Sequence, residues 1–183
     1  MRETDSALLD LIRRRSFRRG TFRLSSGAES NVYFNLKPTM MSPLGAYLAA
    51  RALLAVIWEA KPDFVGGLEM GAVPVIGALA ALSQREAKPV RTFFVRKRAK
   101  EHGTMDMIEG LAPDESLSGA RVMVVDDVAT TGGSILKAAE AARAAGATVE
   151  TALVLIDREE GASEALAAAG IRLLSVLKAG DFQ

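Results

Sequence analysis

The sequence predicts an α/β domain built on a parallel sheet covered by helices. Strand-like and helical runs alternate from residue 64 to residue 177, and strand candidates such as Val122-Met123-Val124-Val125 are apolar at successive positions. Successive apolar positions mean burial on both faces, which a parallel sheet between helical layers requires. The 183 residues, 49% of them hydrophobic, suit a single domain that buries about 70% of its unfolded surface. No disulfide is needed to hold it.

Leu8, Leu9, Ile12 and Phe17 recur at near-helical spacing behind Asp5 or Ser6 as a cap, so the chain opens with a short amphipathic helix. Arg13, Arg14, Arg15, Arg18 and Arg19 cluster here and read as a solvated face or a subunit contact. Without interleaved aromatic residues they make a poor nucleic-acid platform. Phe22 to Lys37 alternates around Ser25-Ser26-Gly27 and reads as a hairpin. Ser42-Pro43 then caps a helix reaching about Ala60. Strands are expected at Phe64–Leu68, Val90–Val95, Ala120–Val125, Val149–Ile156 and Ile171–Leu177, with helices at about Val73–Ser83, Ser134–Ala145 and Ala162–Ala169. Arg96 to Ser118 breaks the rhythm, and a connection that long inside a compact domain reads as a functional lid or a disordered segment. Trp58 and the methionines fall mostly in apolar runs and read as core.

With 23 Lys+Arg against 22 Asp+Glu, the net charge of +1 supplies no bulk field for nucleic acid or an anionic membrane. The absence of cysteine excludes a thiolate metal site and a cysteine nucleophile and fits a reducing cytoplasm. Met1-Arg2-Glu3-Thr4-Asp5 lacks the cationic and apolar stretches of an export signal. The apolar run Met70 to Leu82 is shorter than the roughly 18 residues of a bilayer span. A cytoplasmic protein with small-molecule partners is expected.

The sharpest chemical signal is Val122-Met123-Val124-Val125-Asp126-Asp127-Val128-Ala129-Thr130-Thr131-Gly132-Gly133-Ser134. A buried strand delivers two carboxylates at its carboxyl end, and hydroxyl and glycine residues lead into a helix. Glycine admits a ligand close to the backbone, and the helix start carries about half a positive charge, which suits a phosphate. The carboxylates suit sugar hydroxyls or a magnesium shell reached through water. Gly66-Gly67-Leu68-Glu69-Met70-Gly71-Ala72-Val73-Pro74 is a second strand, glycine turn and helix start, which reads equally as a structural turn or an anion site. Arg96-Lys97-Arg98-Ala99-Lys100-Glu101-His102-Gly103 concentrates four cations and the chain's single histidine. Leaving the same sheet edge, such a loop can close over a polyanion and neutralise a departing group.

Val124 to Gly132 resembles the phosphoribosyl-pyrophosphate signature of the type I phosphoribosyltransferases. The resemblance implies a central, mostly parallel sheet flanked by helices with a small N-terminal hood, all within one domain over 1–183. The hood and N-terminal helix would occupy 1–40 and a mobile catalytic loop 96–118. It implies Asp126 and Asp127 on the ribose hydroxyls, the loop Ala129, Thr130, Thr131, Gly132, Gly133 and Ser134 around the 5-phosphate with Val128 also substrate-binding, and Glu69, Met70 and Gly71 at the pyrophosphate. Magnesium enters with the same resemblance, carried by substrate and waters near Asp126 and Asp127 rather than held by protein alone.

Arg-Lys-x-x-Lys-x-His-Gly narrows this to the orotate enzymes, as do Phe22-x-Leu24-x-Ser26-Gly27-x-x-Ser30 with Tyr33-Phe34, and Ile156-Asp157-Arg158-Glu159-Glu160-Gly161. By that resemblance Arg158 pairs with the orotate carboxylate, Tyr33, Phe34 and Thr130 line the base pocket, Lys97, Lys100 and His102 meet the leaving group, and Arg96 is a further substrate-binding residue. Lys100 is then the most rate-critical cation. A homodimer with shared active sites is implied too, with Arg96 reaching across. Ser25 and Gly71 stand where some relatives carry lysine. The rival readings are a phosphoribosyltransferase for another base and a phosphoribosyl-pyrophosphate-sensing regulator.

Overall fold

The computed structural model describes residues 3–23, 29–98 and 107–182. Helix α1 (Glu3–Arg15) is followed by strands β1 (Phe17–Arg23) and β2 (Glu29–Phe34), the single turn α2 (Lys37–Met40) and the long helix α3 (Pro43–Ala60). The remainder alternates: β3 (Phe64–Leu68), α4 (Ala72–Arg85), β4 (Thr92–Val95), β5 (Ile108–Glu109), β6 (Arg121–Ala129), α5 (Gly133–Ala144), β7 (Thr148–Asp157), α6 (Ala162–Ala168), β8 (Arg172–Lys178) and a closing 3₁₀ turn (Ala179–Phe182).

Six strands lie in the order β5-β4-β3-β6-β7-β8, all parallel except β5, which runs antiparallel to β4. From β3 the chain steps outward to β4, whereas from β6 it steps the other way through β7 to β8. The order therefore reverses between β3 and β6, and open α/β sheets bind ligands outside the strand ends at such a point. Along β6 the alternation of the pleat sends Met123 and Val125 into one core with α1, α3 and α4. Val122 and Val124 enter a second core with α5 and α6. Both sets are buried, which is why the strand reads as unbroken apolar sequence.

Strands β1 and β2 form a separate antiparallel hairpin with a register shift between Arg19 and Phe22. Its anchor is aromatic: Phe17, Phe34 and Phe182 meet with ring centroids 5.0–5.3 Å apart. The arginines 13, 14, 15, 18 and 19 are exposed, as expected of a solvated face, and three of them also tie backbone carbonyls nearby. Arg13 donates to the carbonyl of Asp181 at 2.6 Å, Arg19 to that of Phe182 at 3.1 Å and Arg15 to that of Pro38 at 3.0 Å.

Helix α3 begins as expected, with Ser42 Oγ accepting the Gly45 N–H at 3.2 Å and Pro43 in the first turn. Its 18 residues are long and apolar enough to cross a membrane, longer than the Met70–Leu82 run singled out from the sequence. Eight of them, including Leu53, Leu54 and Ile57, are instead buried in the core.

Several expectations are corrected. Phe17 starts β1 rather than continuing α1, because the chain turns at Ser16 and the ring is needed in the aromatic seam. Strand β6 runs four residues past Val125, since Asp126, Val128 and Ala129 keep their pairing with β7. The stretch from 96 to 118 is not wholly irregular: Phe94 and Val95 pair with Glu109 and Ile108, and the Arg96 N–H donates to the Met107 carbonyl at 2.8 Å. Met40 and Met123 are core, but Met41 and Met70 are 73% and 57% exposed. Trp58 is half-buried, with its indole N–H on the Lys88 carbonyl. The turn of the hairpin, Leu24 to Ala28, lies outside the described residues.

Packing in β3 is tight at Gly66, where a Cβ would stand 2.3 Å from the ring of fully buried Phe93. Overpacking of this kind costs about 1–3 kcal/mol. Gly66→Ala is expected to lower the urea midpoint accordingly, and an unchanged midpoint would show that the ring yields freely.

Candidate active site

The two carboxylates occupy the switch point. Asp126 is 5% exposed. Its Oδ1 accepts the Asp127 N–H at 2.9 Å and its Oδ2 accepts the Ser134 hydroxyl at 2.6 Å, while Asp127 Oδ1 accepts the Val128 N–H at 2.9 Å. Burial first, and then the neighbouring Asp127 carboxylate, push the Asp126 carboxyl up to about 7 from its ordinary 3.8, against the Ser134 and backbone hydrogen bonds that favour its charged form. A charge on Asp126 is costly at this water-poor strand end beside a second carboxylate.

Opposite them lies the turn from β3 into α4. Gly67 lets this turn close on β6, since a Cβ there would stand 2.1 Å from the Val125 carbonyl oxygen. A Cβ at Gly71 would stand 2.5 Å from Asp126 Oδ1 and 2.8 Å from Asp127 Oδ1. No side chain caps the start of α4 at Gly71, so its first-turn amides point outward beside the carboxylates. A lysine at 71 would need this turn or the carboxylates to be placed differently. Glu69 and Met70 are joined by a cis peptide bond, and Met70 is exposed.

Beyond β6 the chain turns at Thr130, Thr131 and Gly132, whose φ of +81° is a glycine conformation, and α5 starts at Gly133, again without a side-chain cap. Strand pairing reaches Ala129, which is buried, and Val128 packs against the apolar core. Their side chains are therefore committed to the fold. The loop able to offer amides to an anion is Thr130 to Ser134.

At the neighbouring strand end, Glu69 Oε1 accepts the Lys97 N–H at 2.8 Å, which ties the β3–α4 turn to the first residues after β4. Arg96 is engaged by Glu109 on β5 at 3.5 Å and donates to the Arg98 carbonyl at 3.2 Å. Lys97 and Arg98 are exposed. Lys100 and His102 lie outside the described residues.

On the far side, β7 is followed by Arg158, whose side chain is 5% exposed. Its backbone N–H donates to the Ala129 carbonyl at 2.9 Å. Its guanidinium donates to the Val32 carbonyl at 3.4 Å and lies 5.9 Å from the centre of the Phe34 ring. The pleat of β2 places Val32 and Phe34 on this face and sends Tyr33 to the other, where it stacks on Phe22 at 5.3 Å and is 41% exposed. Of the two expected base-pocket aromatics, Phe34 is the one beside Arg158.

Two partners escape the sequence reading. Glu109 meets Arg96 only because β5 reverses onto β4, and Glu160 holds Arg158 at 2.7 Å. Neither carries a local signal beyond its charge.

Among the described residues no group of three or more His, Cys, Asp or Glu is placed to hold a metal. The two hard carboxylate oxygen donors fit magnesium, which keeps several waters and shares substrate oxygens rather than demanding a protein cage.

A parallel sheet whose order reverses between two uncapped helix starts, with paired aspartates in the crevice, defines a binder of phosphorylated ligands. Residues 44–170 match the family described as the phosphoribosyl transferase domain. Over 175 residues the chain is 53% identical to orotate phosphoribosyltransferase of Rhodopseudomonas palustris (strain TIE-1), covering 96% of this chain and 94% of that one. Mycobacterium tuberculosis orotate phosphoribosyltransferase superposes with a TM-score of 0.83 at 36% identity, covering 98% of both chains. A structure of the same enzyme in complex with 5-phospho-alpha-D-ribosyl 1-diphosphate gives 0.79 at 34% identity, again over 98% of both. The chain belongs to the orotate phosphoribosyltransferases, a family of enzymes.

The raised Asp126 carboxyl has a measurable consequence. Between about pH 4 and 7 the native state holds a proton that the unfolded chain has released, so the associated stability is complete below pH 4 and is lost as pH climbs through 7. Asparagine at 126 keeps an acceptor for the Asp127 N–H and a partner for Ser134 without titrating. Asp126→Asn is therefore expected to exceed the parent at pH 8 by about 2–4 kcal/mol in urea unfolding of the ligand-free protein, the two converging near pH 4. Equal stabilities at pH 8 would contradict the assignment.

Proposed function

We propose that the protein transfers the 5-phosphoribosyl group from phosphoribosyl pyrophosphate to N1 of orotate, forming orotidine 5'-monophosphate and pyrophosphate in pyrimidine biosynthesis. The observation that carries this reading is the Asp126–Asp127 pair at the switch point, set between the starts of α4 and α5. The carboxylates accept the ribose hydroxyls, and the amides from Thr130 to Ser134 receive the 5-phosphate. The Gly71 turn faces the pyrophosphate. Arg158, steadied by Val32 and Phe34, receives the orotate carboxylate, because a guanidinium fork matches two carboxylate oxygens.

As the C1–O bond to pyrophosphate lengthens, positive charge gathers on the ribose and negative charge on the departing oxygens, so the work is electrostatic and positional. No covalent enzyme intermediate is required. Lys97, Lys100 and His102 meet the leaving oxygens, with Lys100 the most rate-critical. Magnesium, when bound, offsets pyrophosphate charge, with Asp126 and Asp127 positioned to orient its waters.

The working unit in this reading is a homodimer in the cytoplasm. Support comes from the exposed apolar side chains Met41, Leu44 and Tyr47 around the start of α3, together with Met70 beside the crevice. Arg96 would then act in the neighbouring subunit's site. Mixing two inactive variants, one at Arg96 and one at Asp127, is expected to restore part of the activity; no recovery would argue for self-contained sites.

The direct test follows the fall in orotate absorbance with phosphoribosyl pyrophosphate and magnesium, each omitted in turn. Turnover is expected only with all three, and activity on another base but not orotate would replace this reading. In the same assay Arg158→Lys should raise the KM for orotate by about tenfold or more, a lost fork being worth roughly 1.5–3 kcal/mol. Lys100→Ala should lower turnover far more than it weakens phosphoribosyl pyrophosphate binding.

A further inference from the structure

Arg158 and Glu160 sit two residues apart in the connection between β7 and α6, yet they are held very differently. The Arg158 side chain is almost wholly buried and is fixed from several directions: its own N–H on the Ala129 carbonyl, its guanidinium on the Val32 carbonyl and against the Phe34 ring. Glu160 keeps 34% of its side chain exposed and precedes Gly161, whose φ of +94° starts the short helix α6. Between them Nη2 of Arg158 donates to Oε1 of Glu160 at 2.7 Å, the length of a strong charge-assisted hydrogen bond.

We propose that Glu160 is an affinity-setting residue that competes with the substrate for Arg158. In the free protein its carboxylate engages the guanidinium that the carboxylate of the incoming base is to engage, and it swings into solvent when that base arrives. This rests on the reading of Arg158 given above. The direction of movement follows from the two environments: the guanidinium is clamped by β2 and β7, whereas Glu160 has open water beside it. Two carboxylates crowded on one guanidinium repel each other, so the mobile one leaves.

The exchange has two effects. A buried arginine is never left without a counter-charge, which would be costly in a water-poor site. The substrate's gain is also only the difference between two similar ion pairs, so orotate binds more weakly than its contact with Arg158 alone would dictate. A base without a carboxylate has nothing to exchange and leaves the internal pair in place.

The test compares Glu160→Gln and Glu160→Ala with the parent in initial-rate assays at saturating phosphoribosyl pyrophosphate and magnesium. Both variants are expected to lower the KM for orotate, by about fivefold to twentyfold, with the alanine variant showing the larger fall. The KM for phosphoribosyl pyrophosphate and the inhibition constant of uracil, which lacks the carboxylate, should move less than twofold. An orotate KM that is unchanged or raised overturns the proposal and makes Glu160 a support for Arg158 instead. A parallel shift for uracil also overturns it, because the effect would then not involve the carboxylate. If Arg158→Lys leaves the orotate KM unmoved, the fault lies in the assignment of Arg158 itself, and that arm separates the two failures.

Discussion

The site depends on a steric allowance: the β3–α4 turn must press against the end of β6, and at Gly67, which meets backbone, only a residue without a Cβ permits it. Gly67 faces the Val125 carbonyl at a distance no side chain tolerates, and Gly71 faces both aspartate carboxylates, which a Cβ there would force to shift. Once that contact exists, the uncapped start of α4 lies beside Asp126 and Asp127, and α5 begins a few residues beyond them. Positive helix ends and negative carboxylates are thereby concentrated in one crevice. A ligand carrying both phosphates and hydroxyls can satisfy them together, which neither helix start nor acid pair does alone.

The placement of the aspartates on a strand rather than a flexible loop has its own logic. Pairing of Asp126 and Ala129 with β7 fixes the backbone, and the Ser134 hydroxyl and local amides hold the carboxylates. The cost is a carboxyl that burial and its neighbour make reluctant to ionise. Such preorganisation favours function over the stability of the empty protein.

Much of this was legible in the sequence because its causes are local. Strand β3 was read to the residue from its apolar run between Pro62-Asp63 and the glycine turn, and Ser42-Pro43 announced α3 through capping chemistry. The paired aspartates and the Gly-rich helix start likewise appear as contiguous sequence. What escaped is set by distant parts of the chain. Phe17 fits a helical apolar spacing but is claimed by Phe34 and Phe182. The apolar run stops at the two aspartates, so the end of β6 reads as the start of a loop, yet Asp126, Val128 and Ala129 go on pairing with β7. The two-residue β5 carries no periodicity at all, and the ion pairs of Arg96 and Arg158 are decided by which strand ends become neighbours.

The aromatic seam joins residues 17 and 34 to residue 182, almost the full span of the described chain. A two-stranded ribbon has little stability of its own in water, so the hairpin owes its persistence to a surface that exists only once β7, β8 and the closing turn are formed. The wall of the crevice nearest Arg158 is therefore a non-local element, reporting on the completeness of the whole domain. Damage at the edge strand β8, two strands away from the aspartates, can silence the pocket without touching a single group that meets substrate.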